Sequence, residues 1–293
     1  MTALKPLIRC REITESDLNS VADLLVRGFP RRSRDYWAGG LHRQATRAAP
    51  AGYPRFGYLL EQDGNAVGVL LLIYSDRGTA SQPQIWCNLS SWYVEPAFRN
   101  YATMLTRIAQ RLPEVTYVNI SAARQTWPIV EAQGFRAYCN GLFFSIPVMS
   151  FAGLRARVEQ VAANASALDG IPTNEAELLI RHARCGCLSV VVRSERGAIP
   201  LVLQQVRIRQ GSLMLPVMQL IYCRNVSDYV ASAGAIGRLL LRRGSMAVMM
   251  DANGPVAGLV GIYTDRRGRK YIKGPQQPRL GDLSDSELAL YGP

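Results

Sequence analysis

Histidine is almost missing from this chain of 293 residues, which has His42 and His182 and no other. Cys185-Gly186-Cys187 is the one cysteine cluster, and with only His42 and His182 in the chain it lacks the spaced second ligand pair of a tetrahedral zinc site, so it reads as core. Lysine is nearly as rare, since 31 of the 34 basic residues are arginine. Long apolar runs are absent too. The longest, such as Val69 to Tyr74, fall far short of the roughly 18 to 20 residues that cross a bilayer. No charged-then-apolar segment opens the chain. The expectation is a cytoplasmic protein without a membrane partner. The six cysteines are scattered, mostly in strand-like apolar runs where free thiols pack as small hydrophobes, and no disulfides are expected.

Apolar residues and positive charge are plentiful. An apolar fraction of 48% with 19% charged residues describes a chain able to bury a core without staples. Its length suits two ordinary domains of roughly 100 to 200 residues each. The net charge of +12 favours acidic partners. That charge is spread, however: residues 1 to 150 carry 16 basic and 11 acidic side chains, and residues 151 to 293 carry 18 and 11. The densest clusters, Arg31-Arg32-x-Arg34, Arg242-Arg243 and Arg266-Arg267-x-Arg269-Lys270, lack the interleaved aromatics of a single-strand platform. They read as solvated surface, not as a nucleic-acid interface.

The most informative stretch runs from Ile85 to Leu112, where an apolar strand passes through Val94-Glu95-Pro96 and Arg99 directly into an amphipathic helix. First-turn N–H groups of a helix have no intrahelical partner, and with the positive end of the macrodipole they favour a phosphate. V-x-P-x-x-R, a helix, a strand from Val115 to Ser121, a further helix and Gly134-Phe135 resemble the GCN5-related N-acetyltransferases over roughly residues 7 to 147. The resemblance implies an acyl-CoA co-substrate such as acetyl-CoA, with its pantetheine arm between splayed strands and its pyrophosphate on the following turn. In the family that turn reads R-x-x-G-x-G/A. Here it is Arg99, Asn100, Tyr101, Ala102, Thr103 and Met104, so the arginine is kept and both small positions are altered. With Tyr93 and Val94, these six are the candidate coenzyme contacts.

Periodicity extends the reading to a mixed α/β fold. Ile8 to Ile13 alternates as a strand, and cap-like Thr14 to Asp17 precede a helix with apolar Leu18, Val21, Leu24 and Leu25. Arg31 to Ala48 reads as a second helix. Tyr58 to Glu61 and Ala66 to Tyr74, joined by Asp63-Gly64-Asn65, form a hairpin. Beyond residue 148 the order starts again: helices at Phe151 to Ala167 and Glu175 to Arg184, three strands between Leu188 and Arg224, a helix from Val226 to Arg242 and a strand from Met246 to Met250. The expected fold is therefore α/β, with mostly antiparallel central sheets flanked by helices, duplicated as residues 1–148 and 149–293. The second half has no V-x-P and no legible phosphate cradle. Its Ala233-Gly234-Ala235-Ile236-Gly237 reads as close helix packing, and the C-terminal turns with the short helix Ser284 to Leu290 are expected to dock on that half.

Acyl transfer to an amine needs a proton acceptor, donors for the oxyanion and an acid for the departing thiolate. In the family a carboxylate often stands on the strand read here as Ile85 to Val94, yet its inward candidates are Asn88, Ser90 and Ser91. The tyrosine the family places four residues before the Gly-Phe pair is Val130. Tyr138, Tyr101 or Tyr93 stand in for it, and His42 is a lone imidazole on the acceptor-side helix. The candidate catalytic side chains are Tyr138, Asn88 and His42. Trp37, Tyr53, Phe56 and Trp86 are available to line an acceptor pocket or the core, while Glu131 and Glu95 read as structural. Two readings stay open: an acyl-CoA-dependent N-acyltransferase acting on a small-molecule or peptide amine by direct transfer, and a non-catalytic acyl-CoA-binding or scaffold protein.

Overall fold

A computed structural model describes residues 8–79, 81–195, 197–210 and 213–292. Its strands are β1 (Ile8–Glu12), β2 (Gly57–Gln62), β3 (Asn65–Asp76), β4 (Ile85–Val94), β5 (Thr116–Asn119), β6 (Arg136–Cys139), β7 (Gly141–Ser145), β8 (Arg157–Gln160), β9 (Leu188–Ser194), β10 (Gly197–Gln210), β11 (Leu213–Cys223), β12 (Val248–Ala252), β13 (Gly261–Thr264) and β14 (Lys270–Lys273). The α-helices are α1 (Leu18–Gly28), α2 (Arg34–Thr46), α3 (Ala102–Ala109), α4 (Trp127–Ala132), α5 (Thr173–Arg184), α6 (Val226–Leu241) and α7 (Glu287–Tyr291). They build two seven-stranded sheets, ordered β1-β2-β3-β4-β5-β14-β6 and β13-β7-β12-β11-β10-β9-β8. Two compact units result: residues 1–120 with 272–276 and 285–291, and residues 121–271 with 277–284 and 292–293. The division at Ile120 differs from the boundary read after residue 148. No helix among the described residues is long and apolar enough to cross a membrane.

In the first unit the β2–β3 hairpin turns at Asp63 and Gly64, whose φ values of 49° and 81° are both positive, as a two-residue type I′ turn requires. Val69, Leu71 and Ile73 of β3 alternate onto one face and meet Val21, Leu24 and Leu25 of α1 and Trp37 and Leu41 of α2. Ser33 caps α2 by accepting from the Tyr36 amide at 3.2 Å, which starts that helix later than its apolar pattern suggested. Buried Gln44 ties α2 to the sheet, donating to the carbonyls of Arg55 and Leu72, both at 2.7 Å.

The C-terminal helix corrects one expectation: α7 belongs to the first unit. Leu290 and Tyr291 join the core of α1, α2 and β3. Arg43 donates to the carbonyls of Leu290 and Tyr291 at 2.6 and 2.7 Å, and the Tyr291 hydroxyl donates to Gln44 Oε1 at 2.6 Å. Three polar anchors and a buried ring explain why so short a helix docks.

In the second unit β9, β10 and β11 form the expected meander, and α6 packs Tyr229, Ala235, Ile236 and Leu240 into their core. The helix expected at Phe151 to Ala167 does not form. Gly153, at φ 69°, interrupts it, and Val158 and Glu159 of β8 pair instead with Val192 and Val191 of β9, reinforced by Arg193 on Glu159 at 2.6 Å. Cys185-Gly186-Cys187 ends α5: Gly186 takes the left-handed conformation at φ 83°, and the Cys187 amide donates to the His182 carbonyl at 3.0 Å. All six cysteines are free thiols, and burial pushes Cys187 up to about 12.

Candidate functional site

β4 pairs with β3 along its whole length, from Asp76↔Ile85 to Gly68↔Val94, through a register shift that sets Leu70 opposite Trp92 and Leu72 opposite Leu89. Ser90 and Ser91 therefore share one position of β3, a bulge that bends β4 at its middle. On its other edge β4 pairs with parallel β5 only from Trp86 to Asn88. From Leu89 to Val94 that edge has no strand partner among the described residues, so a wedge opens between β4 and β5 with Asn88 at its root. The backbone N–H and C=O groups along such an edge are available to an extended ligand.

Val94 is buried against Gly68, and β4 then runs into a 3-10 turn, Pro96–Tyr101, that continues as α3. Arg99, Asn100, Tyr101, Thr103 and Met104 are exposed, and Ala102 is half-buried. The Ala102 N–H donates to the Arg99 carbonyl, so the tight turn already uses one donor that a free helix start would offer. Leu105, Thr106 and Ala109 carry the buried side of α3, which leaves Met104 in solvent. Glu95, whose charge would repel a phosphate, is drawn aside by Arg27 of α1 at 2.9 Å.

Opposite partners in a sheet share a face, so Asn88 and Tyr93 lie on the side of Ile73 and Val69, with α1 and α2. The Tyr93 ring closes over Gly28 at the end of α1. β4 carries buried polar atoms without a hydrogen-bond partner: Asn88 Oδ1, Ser90 Oγ and Trp86 Nε1, and, opposite Leu70 on the other face, Trp92 Nε1. Asn88 is only 2% exposed, and a buried acceptor left unmet is costly unless a ligand or water completes it. Asn88 Nδ2 donates to Glu287 Oε2 of α7. Sequence spacing gave no sign of this carboxylate, which lies 199 residues from Asn88.

His42 is exposed on α2, in the same unit as Asn88. Tyr138 is half-buried on β6 of the second unit, its carbonyl accepting from Asn253 Nδ2 at 3.1 Å. Val130 is core, and Glu131 accepts from the Tyr271 hydroxyl at 2.8 Å, a structural role. Trp37 and Phe56 are core residues, and Trp86 lies under the Arg77 guanidinium, 4.7 Å from its ring centre. The glycines of α6 serve close packing: a Cβ on Gly234 would stand 2.4 Å from the Ser150 carbonyl oxygen, and one on Gly237 2.3 Å from the Val148 nitrogen.

The second unit has a corresponding wedge, and it is filled. β10 occupies one edge of β11 as far as Leu201↔Cys223, while parallel β12 pairs on the other edge only at Met218 and Gln219. Beyond these the Leu283 N–H donates to the Ile221 carbonyl at 2.8 Å, and the Cys223 N–H donates to the Gly281 carbonyl at 2.9 Å. Residues 281–283 thus pair with β11 beyond the point where its pairing with β12 ends. No V-x-P turn follows β11; Asn225 leads directly into α6.

No protein-family model and no curated protein matches the chain. Solved structures do. A GCN5-related N-acetyltransferase from Anabaena variabilis superposes with a TM-score of 0.56 at 12% identity, over 91% of this chain and 72% of that one. One from Kribbella flavida gives 0.56 at 13% identity over 93% and 72%, and one from Sphaerobacter thermophilus 0.50 at 15% over 95% and 98%. The fold is that of the GCN5-related N-acetyltransferases.

Proposed function

We propose that the chain is an acyl-CoA-dependent N-acyltransferase, a tandem duplication in which only the first unit binds the coenzyme. The observation that carries this reading is the departure of β4 from β5 after Asn88, on a strand that runs on to Val94 and ends at the exposed Arg99 turn. The free edge of β4 receives the pantetheine amides. Arg99 and the exposed turn from Asn100 to Thr103 receive the pyrophosphate, with Arg107 on the same helix adding positive charge. The bound thioester supplies an activated acyl group; acetyl-CoA is the simplest donor. The chain's task is to align an amine against it and exclude water. Ser90 Oγ and Trp92 Nε1, buried and without partners, are polar groups of the kind a bound ligand satisfies.

A non-catalytic acyl-CoA-binding protein is the second reading, favoured by the absence of a carboxylate on β4 and by buried Val130 in the family's tyrosine position. Calorimetric titration with acetyl-CoA and desulfo-CoA tests what both readings share. One site per chain is expected, weakened by about 1–3 kcal/mol in Arg99→Ala. No binding overturns both; binding without thiol release to any amine favours the second.

A further inference from the structure

We propose that Glu287 of α7 is the proton acceptor for the amine at the first unit's site, and that the acceptors are cationic primary amines. This rests on the acyltransferase reading. β4 brings no carboxylate to its bulge, but the chain's C-terminal helix brings one. Tyr291, Leu290 and Arg43 hold α7 on α2, and Asp285 meets Arg47 at 2.9 Å. Against this fixed support Glu287 reaches Asn88 Nδ2, at the residue where β4 and β5 part. The acid is therefore at the root of the wedge, on the face of α1 and α2.

A tail anchor does not require a charge there. A neutral glutamine would bond Asn88 with a smaller desolvation cost, and the helix is already held by Arg43, Arg47 and Gln44. Beside the carboxylate, Asn88 Oδ1 is a buried acceptor without a partner. A carboxylate and a carbonyl oxygen together form a seat for an ammonium group and offer nothing to an anion. The charged and titratable groups sharing this field are Tyr36 and Arg43 of α2, Arg32 ahead of it, and Tyr291 of α7. Burial, with a smaller contribution from Glu287, pushes the Tyr36 phenol up, so it remains a protonated donor beside the acid.

The ammonium group gives one proton to the Glu287 carboxylate. The freed nitrogen lone pair forms the C–N bond to the acyl carbon as the C–S bond breaks with its electron pair on sulfur. Sulfur takes the second nitrogen proton, leaving an amide and the free thiol, and Glu287 returns its proton to solvent.

The test uses the full chain, acetyl-CoA and a fixed panel of spermine, kanamycin, tryptamine and a lysine-containing peptide, with thiol release as readout. Glu287→Gln is expected to keep its acetyl-CoA affinity and melting temperature. Thiol release should fall by about 10²-fold or more, and the acid limb of the kcat/KM profile should vanish. Glu287→Asp should restore part of the rate together with that limb. A purely structural role would leave the limb in place. Should Glu287→Gln fail to fold, Glu287→Asp decides: a reduced kcat with a displaced acid limb supports the assignment, and an unchanged rate overturns it. An unchanged rate and limb in Glu287→Gln also overturn it, as does a wild-type chain that binds acetyl-CoA yet acylates no panel amine. A wild-type chain that binds no acetyl-CoA refutes the parent reading instead.

Discussion

The ring of Tyr291 lies in the notch that Gly40 leaves in α2: a Cβ built on Gly40 would stand 1.7 Å from Tyr291 Cδ1. Gly40 is mid-helix, where glycine costs about 1 kcal/mol relative to alanine, so the notch is maintained against propensity. Its return is a seat for a fully buried aromatic whose hydroxyl completes Gln44. The same seat holds α7, and through α7 the carboxylate at Asn88.

Gly40→Ala should therefore destabilise the first unit despite the better helix former. Overpacking of a filled core costs about 1–3 kcal/mol, and the rigid Tyr291 ring has backbone anchors on both sides that resist its retreat. Urea unfolding of the full chain measures this. A stability equal to or above wild type would mean that the ring steps aside freely and that α7 is not seated by this contact.

Arg27 and Glu95 form a pair that, on the proposed coenzyme reading, bears more on binding than on folding. The side chains are 50% and 28% exposed, so the bridge itself contributes about 0–1 kcal/mol to stability. Released by Arg27→Ala, the Glu95 carboxylate stands at the head of the turn assigned to the pyrophosphate. Acetyl-CoA affinity is expected to fall two- to fivefold, about 0.4–1 kcal/mol, and to recover as salt screens the repulsion. A loss that Glu95→Gln does not reverse in the same background would put the cause elsewhere.

The strand, hairpin and helix periodicities of β2 to α3 were legible because each residue's neighbours in sequence decide them. Asp63-Gly64 fixed the hairpin and Pro96 with Arg99 marked the turn. What was not legible depends on distant pairing. Arg157 to Gln160 carries no decisive period, and the free edge of β9 made it a strand. Glu287 belongs to a terminal helix whose docking partner, the Gly40 notch, is invisible until α2 is folded. The filling of the second wedge likewise depends on residues 281–283 meeting Ile221 and Cys223, about 60 residues away.

In the second unit Glu175 at the start of α5 holds β11 through its partners. Its carboxylate accepts from the Tyr222 hydroxyl and Arg224 Nε at 2.8 Å and from Arg224 Nη2 at 2.5 Å. Burial would raise its pKa, but the hydrogen bonds from Arg224 and Tyr222 outweigh it, and the folded value lies below the ordinary one. A depressed carboxylate pKa contributes stability that is complete above the unfolded value, near 4.3 for glutamate, and that is lost as pH falls through the folded value. Glu175→Gln keeps the shape and removes the charge. It should cost about 1.5–3 kcal/mol at pH 7, the range for a charge-assisted bond. The difference from wild type should shrink steadily as pH falls below about 4, where the native acid is itself becoming neutral. Thermal unfolding of both proteins between pH 7 and pH 3 decides the matter. A constant difference across that range would show that the glutamine acts through packing and that the Arg224 pair carries none of the stability.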